Sequence, residues 1–431
     1  MIARLLTWIF TIAAVLLVGW YGYRGLVQSK PDIPQAEAAV PEAEAPEIDA
    51  NTELPIEPSD WIGSIDYRGL DRNFDAIARR PEMAGLAVAI VEDGELRFVQ
   101  TYGVTDKRSG EWVMPETVFR WASVSKGVAG ALAAKLSNEG LLNINAPIAR
   151  WQTSLRLPGG ANSTVSLTQL LSHQTGLVKN SYDRKLEDGQ TPGILRASLA
   201  GAPLKCRPGT CHSYQNIAFD ASAEILAQTA GTLYSASTRE LFFELLEMDS
   251  VGFGLGGLTQ NKSWARPHWG DEVRTLQDTY FLLPAAAGIS SNIVDMARWM
   301  QAQMGSDPDV LSAEMLAQAH APIVKTPRVY GGKLSRSLLQ PAYGLGWRSF
   351  TYSGRRLVGH SGAVEGYRAT MVFDPEARTG VVAMWNNAWG KPFGIPFAVL
   401  DSYYGSSEHD WLDISNIPLP EPKPPAAGDL P

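Results

Sequence analysis

The sequence predicts an α/β protein of the α+β kind: an antiparallel sheet of about five strands built from both ends of a globular region, flanked by helices. A mainly helical subdomain is inserted at about residues 120–300. Three observations predict it. β-rich runs gather around turn dipeptides near both ends of the globular region; apolar residues recur at helical spacing between them; and 431 residues exceed what one hydrophobic core usually supports.

From the start of the chain, Leu5 to Tyr23 is a run of 19 residues without a charge. As a helix it spans roughly 28 Å, near the thickness of a bilayer's hydrocarbon core. A cleaved signal peptide and a buried core helix are the alternatives. The flank of Trp20, Tyr21, Tyr23 and Arg24 suits an interfacial anchor better. Residues 1–28 are therefore expected to be a transmembrane anchor. Residues 29–60 follow as a disordered linker: 31–60 hold nine acids, no bases and frequent prolines. The whole chain is −8, so nearly all its net charge sits in this segment and the remainder is close to neutral. Nothing in that balance favours nucleic acid. One globular domain is expected over 61–415, and 416–431 is expected to be a disordered proline-rich tail.

Within the globular region, 85–103 reads as two strands around Asp93-Gly94, a strong hairpin signal. Two further hairpins are expected at 344–362, turning at Ser353-Gly354, and at 367–387, turning within 374–380. Helices are expected at 125–138, 166–173, 216–231, 237–249 and 292–305. The two cysteines, Cys206 and Cys211, flank a Pro-Gly turn, so a small disulfide loop is feasible in an oxidising compartment; reduced thiols are the alternative. With the anchor beside the N-terminus, the expected location is the inner membrane, single-pass, with the domain on the periplasmic side.

Three motifs carry chemistry. Ser123 precedes Lys126 by three residues at the head of an apolar helical run, so the lysine amine can approach the serine hydroxyl if Ser123 opens the helix. A serine hydroxyl needs such a base to become a nucleophile, and lysine serves when burial or neighbouring cations lower its pKa. A capping serine with a solvated lysine is the ordinary alternative. Tyr214 and Asn216 form Y-x-N beyond the cysteine loop. A phenol beside an ammonium can relay a proton, and the asparagine amide can hold a substrate amide; a packed tyrosine with a helix-capping asparagine is the structural alternative. His360, Ser361 and Gly362 form H-x-G at a strand end, where backbone N–H groups can face a substrate carbonyl and the glycine permits close approach. His268-Trp269-Gly270 competes but lacks a strand pattern, and Lys325-Thr326-Pro327 has a proline where an N–H is needed.

In that order, S-x-x-K, Y-x-N and H-x-G resemble the serine β-lactamase and penicillin-binding protein superfamily, specifically its class C β-lactamase-like group. The segments LLSHQTGL (170–177), PAAAGISSNIVDMARWM (284–300) and AYGLGW (342–347) are similar to that group as well. The resemblance covers roughly residues 65–405. It implies a β-lactamase/transpeptidase-like fold and hydrolysis of an amide or ester, of β-lactam or D-Ala-D-Ala type, through an acyl-enzyme. It also implies Ser123 as nucleophile, Lys126 and Tyr214 as the joint proton-transfer system, Asn216 as a substrate-positioning residue, and the backbone N–H groups of Ser123 and Ala363 as an oxyanion hole. His360 stands where many β-lactamases carry the lysine of K-T-G, and only a protonated His360 would recognise a carboxylate as a cation. No cofactor and no metal are expected, since the six histidines form no paired-ligand pattern. The expected partners are a small-molecule or peptide substrate and, through the N-terminal helix, the membrane. A small-ester carboxylesterase and a penicillin-binding sensor with little turnover are the alternatives. An α/β-hydrolase is disfavoured because GHSGA (359–363) is one residue short of G-x-S-x-G and only His409 follows it.

Overall fold

Alternation of side chains along a buried strand fixes how this protein is layered. The structure, a computed structural model, describes residues 56, 57, 60–406 and 409–415. The expected anchor and nearly all of the expected linker and tail lie outside the described residues. Among the described residues no helix is long and apolar enough to cross a membrane.

Strands β1 (Gly85–Glu92) and β2 (Glu95–Gly103) form the first hairpin. Asp93 and Gly94 both take positive φ, 53° and 91°, the geometry that lets a two-residue turn follow the strands' twist. The C-terminal half supplies β3 (Val324–Lys325), β4 (Leu339–Tyr343), β5 (Arg348–Tyr352), β6 (Arg355–Val364), β7 (Tyr367–Asp374) and β8 (Thr379–Trp385). All eight make one antiparallel sheet in the order β2-β1-β8-β7-β6-β5-β4-β3, closed from both ends of the region by pairing Leu86 with Trp385. The expected hairpins are present, but the sheet has eight strands rather than about five. β3 and β4 are the additions: β3 has two residues, and Pro341 inside β4 reads as a strand breaker. The β4–β5 register breaks between Ser349 and Thr351, near that proline, so the ladder absorbs it there.

Every residue of β1 is buried because both sheet faces are covered. Leu86, Val88 and Ile90 share a core with Phe74 and Ile77 of helix α1 (Tyr67–Ala78) and with Ile395 and Val399 of the last helix (Ile395–Tyr404). Ala87, Ala89 and Val91 belong to the larger core on the other side. That core is built by the helical insertion: α2 (Lys126–Asn138), α3 (Ile217–Ala230), α4 (Ile293–Gln303) and α5 (Ala313–His320). The helix expected at 237–249 begins earlier, at Tyr234, and widens into a π-turn over Arg239–Phe243.

Helix α2 is buried almost all round, which fits its lack of a polar face. Its glycines explain how β4–β5 passes so close. A Cβ on Gly130 would lie 1.8 Å from the Leu345 carbonyl oxygen, and one on Gly127 2.4 Å from the Trp347 ring. The sheet is thereby clamped onto the helix that carries Lys126.

Candidate active site

The helix does not begin at Ser123. Residues 122–125 form a 3₁₀ turn and the α-helix starts at Lys126, so serine and lysine are joined across the junction of the two. Ala122 holds φ of 47°, a left-handed conformation that strains an alanine and persists only where its surroundings impose it. Those surroundings are explicit. Trp121 donates from Nε1 to Ser291 Oγ at 2.7 Å, and the Ile289 N–H donates to Ser125 Oγ at 3.2 Å. Gly362 of β6 lies against the same turn, where an added Cβ would sit 2.2 Å from the Trp121 carbonyl oxygen and 3.1 Å from the Ser123 nitrogen. The close approach that Gly362 permits is therefore to the Ser123 turn.

Lys126 is fully buried. Its amino nitrogen lies within hydrogen-bond distance of three oxygens: Asn216 Oδ1 at 2.8 Å, the Ala286 carbonyl at 2.9 Å and Ser123 Oγ at 3.3 Å. No carboxylate lies within ion-pair distance of it among the described residues. It sits instead over the faces of Tyr214 and Phe219, 4.8 and 5.3 Å from their centroids. Asn216 stands at the head of α3 but caps nothing with its side chain. Its Nδ2 donates to Asp183 Oδ2 at 2.7 Å, which fixes the amide with its oxygen toward the lysine. Burial pushes the Asp183 carboxyl up to about 6, against the pull of Asn216 and Lys126. Asp220, also raised to about 6 by burial, pairs with Arg196 at 2.8 Å and accepts the Ala285 and Ala286 N–H groups at 3.0 and 3.3 Å. It thus anchors the stretch whose carbonyl caps Lys126.

Tyr214 packs on His173, ring centroids 4.2 Å apart, and its hydroxyl takes no hydrogen bond from the described residues. The disulfide joins Cys206 to Cys211 in the loop just before it. That loop is tied back by Gly209 N donating to the Gln174 carbonyl at 2.7 Å. His173 accepts the Gln215 N–H at Nδ1, and burial, then Lys126, holds its pKa well below the ordinary value.

His360 is buried, and both its nitrogens are spent. Nε2 accepts from the Tyr343 hydroxyl at 2.8 Å and Nδ1 donates to the Ser361 carbonyl at 2.9 Å. Burial first, then Arg348 and Lys126, holds its pKa well below the ordinary range. His360 is thus a neutral strut under the strand rather than a cation. Ser361 Oγ bonds Tyr330 Oη at 2.5 Å. Beyond Gly359, β6 has lost its partner β5, and the edge from His360 to Val364 runs past the Ser123 turn.

Ser123, Tyr214, Asn216, Ser361 and Ala363 line one cleft of about 600 Å³. The residues expected to act together are thereby brought together, with Lys126 behind Ser123 and Gly362 behind Ala363. The competing His268 lies elsewhere, in a two-residue strand where it accepts the Lys107 N–H. The sequence reading missed Asp183, Tyr343, the Ala286 carbonyl and Arg348. Arg348 lines the same cleft and had one available sign, its place directly after the AYGLGW segment. Among the described residues no group of three or more His, Cys, Asp or Glu is placed to hold a metal.

The chain is similar to known proteins in sequence and in fold. The sequence model of the family described as Beta-lactamase matches residues 70–394. An unguisins hydrolase of Aspergillus violaceofuscus is 24% identical over 368 residues, covering 77% of this chain and 64% of that protein. Esterase EstB of Burkholderia gladioli is 29% identical over 200 residues, covering 43% of this chain and 50% of its own. A solved class C beta-lactamase superposes with a TM-score of 0.63 at 21% identity, covering 78% of this chain and 96% of that one. The chain spans less than two thirds of the length of these curated relatives.

Proposed function

We propose, from the premise that this chain belongs to the Beta-lactamase family, that it is a serine hydrolase acting through an acyl-enzyme on Ser123. The observation that carries the reading is the 3.3 Å contact between Ser123 Oγ and a buried lysine amine that no described carboxylate neutralises. In acylation, Ser123 Oγ attacks the substrate carbonyl carbon, and its proton passes through the Lys126 amine and Tyr214 hydroxyl to the leaving nitrogen or oxygen as that bond breaks. Water then attacks the acyl carbon, one of its protons passes by the same relay to Ser123 Oγ as the acyl–Oγ bond breaks, and the acid leaves with the serine hydroxyl restored. Asn216 positions the substrate and Lys126 together. The N–H groups of Ser123 and Ala363, on the turn and on the open edge of β6, stabilise the tetrahedral oxyanion.

The substrate on this reading is an amide or ester, of which a β-lactam and a D-Ala-D-Ala-type peptide suit the group; the similarity to EstB supports a small ester as the second reading. A penicillin-binding sensor uses the same acylation without rapid deacylation. The uncharged run Leu5 to Tyr23 and the Cys206–Cys211 disulfide support export to the periplasmic face of the inner membrane behind a single anchor. The test is parallel turnover of the purified full-length chain on a chromogenic cephalosporin, a D-Ala-D-Ala peptide and a nitrophenyl ester. Sustained product release is expected from one of them. A stoichiometric, lasting adduct selects the sensor, and no reaction together with no Ser123 adduct overturns the reading.

A further inference from the structure

Outside the catalytic cleft one cation is buried without a counter-charge. Arg120, in the short strand Phe119–Arg120 just ahead of the Ser123 turn, is 3% exposed. The other buried arginine, Arg196, meets Asp220 and Glu224 at 2.8 Å each. Arg120 has no carboxylate within ion-pair distance among the described residues. Its Nη2 donates to the Ala287 carbonyl at 3.4 Å, and its Nε–H has no partner. The Phe281 ring lies against the guanidinium, its centroid 3.6 Å from the guanidinium carbon. Burial pulls the Arg120 pKa down to about 10, which leaves it charged at pH 7. Arg120 lines a cavity of about 130 Å³ whose other charged lining residues are Glu187 and Glu365, both exposed. Arg274 pairs with Glu365 at 3.2 Å. Glu187 accepts the Tyr280 hydroxyl at 2.8 Å, a neutral partner, and no cation. The cavity therefore holds an unanswered positive charge inside and an unanswered negative charge toward solvent.

We propose that this cavity is a binding site for a small aminocarboxylate zwitterion, its carboxylate on Arg120 and its ammonium toward Glu187. An anion alone would answer Arg120 but face Glu187, and a cation alone would do the reverse. A molecule with both charges answers both, and it offsets the cost of a guanidinium buried unpaired. Size sets the other limit. The cavity is several times the ~10–15 Å³ that one water needs and well below the ~300–1,000 Å³ of a drug-sized site, so the ligand is a molecule of a few heavy atoms. Tyr280 lines both this cavity and the catalytic cleft, so the ligand binds beside the cleft and not in it.

The test is calorimetric titration of the full-length chain with glycine, β-alanine and γ-aminobutyrate, each beside the acid that lacks its amino group: acetate, propionate and butyrate. At the best chain length the aminocarboxylate is expected to bind about 10-fold or more tightly than its matched carboxylate, the range of hydrogen bonds to charged groups. Glu187→Gln keeps an acceptor for Tyr280 and removes the charge at an exposed position, so it should abolish that preference and leave the matched carboxylate's Kd unchanged. Arg120→Met should raise the Kd of every aminocarboxylate by about 10-fold or more. Arg120 is a core residue, so where that variant does not fold, Glu187→Gln decides. Arg348→Gln, which alters the catalytic cleft alone, should bind as the wild type does. No binding of any aminocarboxylate to the wild type, or a preference that survives Glu187→Gln, overturns the assignment. Loss of binding in Arg348→Gln places the ligand in the cleft and also overturns it. None of these readouts uses turnover, so a failure here leaves the serine-hydrolase reading standing, and a failure there leaves this site standing.

Discussion

Gly362→Ala asks whether the nucleophile's turn is held by a backbone contact that only glycine allows. The added Cβ would come 2.2 Å from the Trp121 carbonyl oxygen, 3.0 Å from Ala122 Cβ and 3.1 Å from the Ser123 nitrogen. Two of those atoms are backbone, and the turn they belong to is already strained at Ala122. Relieving the first contact requires the strand and the turn to separate by about 1 Å, a misplacement that in a catalytic constellation costs on the order of 100-fold in rate. Overpacking of this kind also destabilises a core by about 1–3 kcal/mol. The assay is the labelling rate of Ser123 by a neutral fluorophosphonate beside a urea midpoint, with Gly201→Ala as reference, since nothing lies within 4 Å of a Cβ at Gly201. Labelling at the wild-type rate with an unchanged midpoint would refute the argument that this contact shapes the site.

Two other outcomes follow from the buried polar groups. Asp183→Ala strands the Asn216 amide, so a loss of about 1–3 kcal/mol and slower Ser123 labelling are expected, whereas Asp183→Asn keeps an acceptor and most of the rate; an alanine variant that labels like wild type rejects the positioning role. Stability should fall on acidification from pH 6 to 5. Burial depresses the imidazoles of His173, His212, His320 and His360, His212 and His320 to about 3, so below about pH 6.5 the unfolded chain binds protons that the folded one does not. Asp183 and Asp220 oppose this, since their folded carboxyls, raised to about 6, protonate first and stabilise as pH falls toward 4. His268, also lowered by burial, adds to the loss and Asp295, also raised by burial, to the opposing side, so that five imidazoles against three carboxyls leave a loss of roughly 3 kcal/mol per pH unit, read from urea midpoints. A midpoint that holds or rises between pH 6 and 5 contradicts it.

What could be read in the sequence was what local chemistry determines. Asp93-Gly94 and Ser353-Gly354 announce their hairpins because both turns demand positive φ, and each has it. Ser123, Lys126, Tyr214 and Asn216 stand out because their spacing is regular and their residue types are reactive. Strand β4 stayed hidden since Pro341 argues against a strand unless the ladder is known to break beside it. Asp183 opens a five-residue helix with no motif around it, and its partner Asn216 is 33 residues away. The Ala286 carbonyl is backbone, so residue type carries no sign of it. His360 reads as a possible cation from sequence, and only its burial between Tyr343 and the Ser361 carbonyl shows it to be neutral.

The most direct test is the mass of the intact chain after reaction with a neutral fluorophosphonate, for the wild type, Ser123→Ala and Lys126→Met. A single adduct located on Ser123 is expected in the wild type, none in Ser123→Ala, and a rate reduced by several orders of magnitude in Lys126→Met, whose amine at 3.3 Å is the only base in contact with the hydroxyl among the described residues. An adduct that persists in Ser123→Ala, or wild-type labelling in Lys126→Met, would contradict the account.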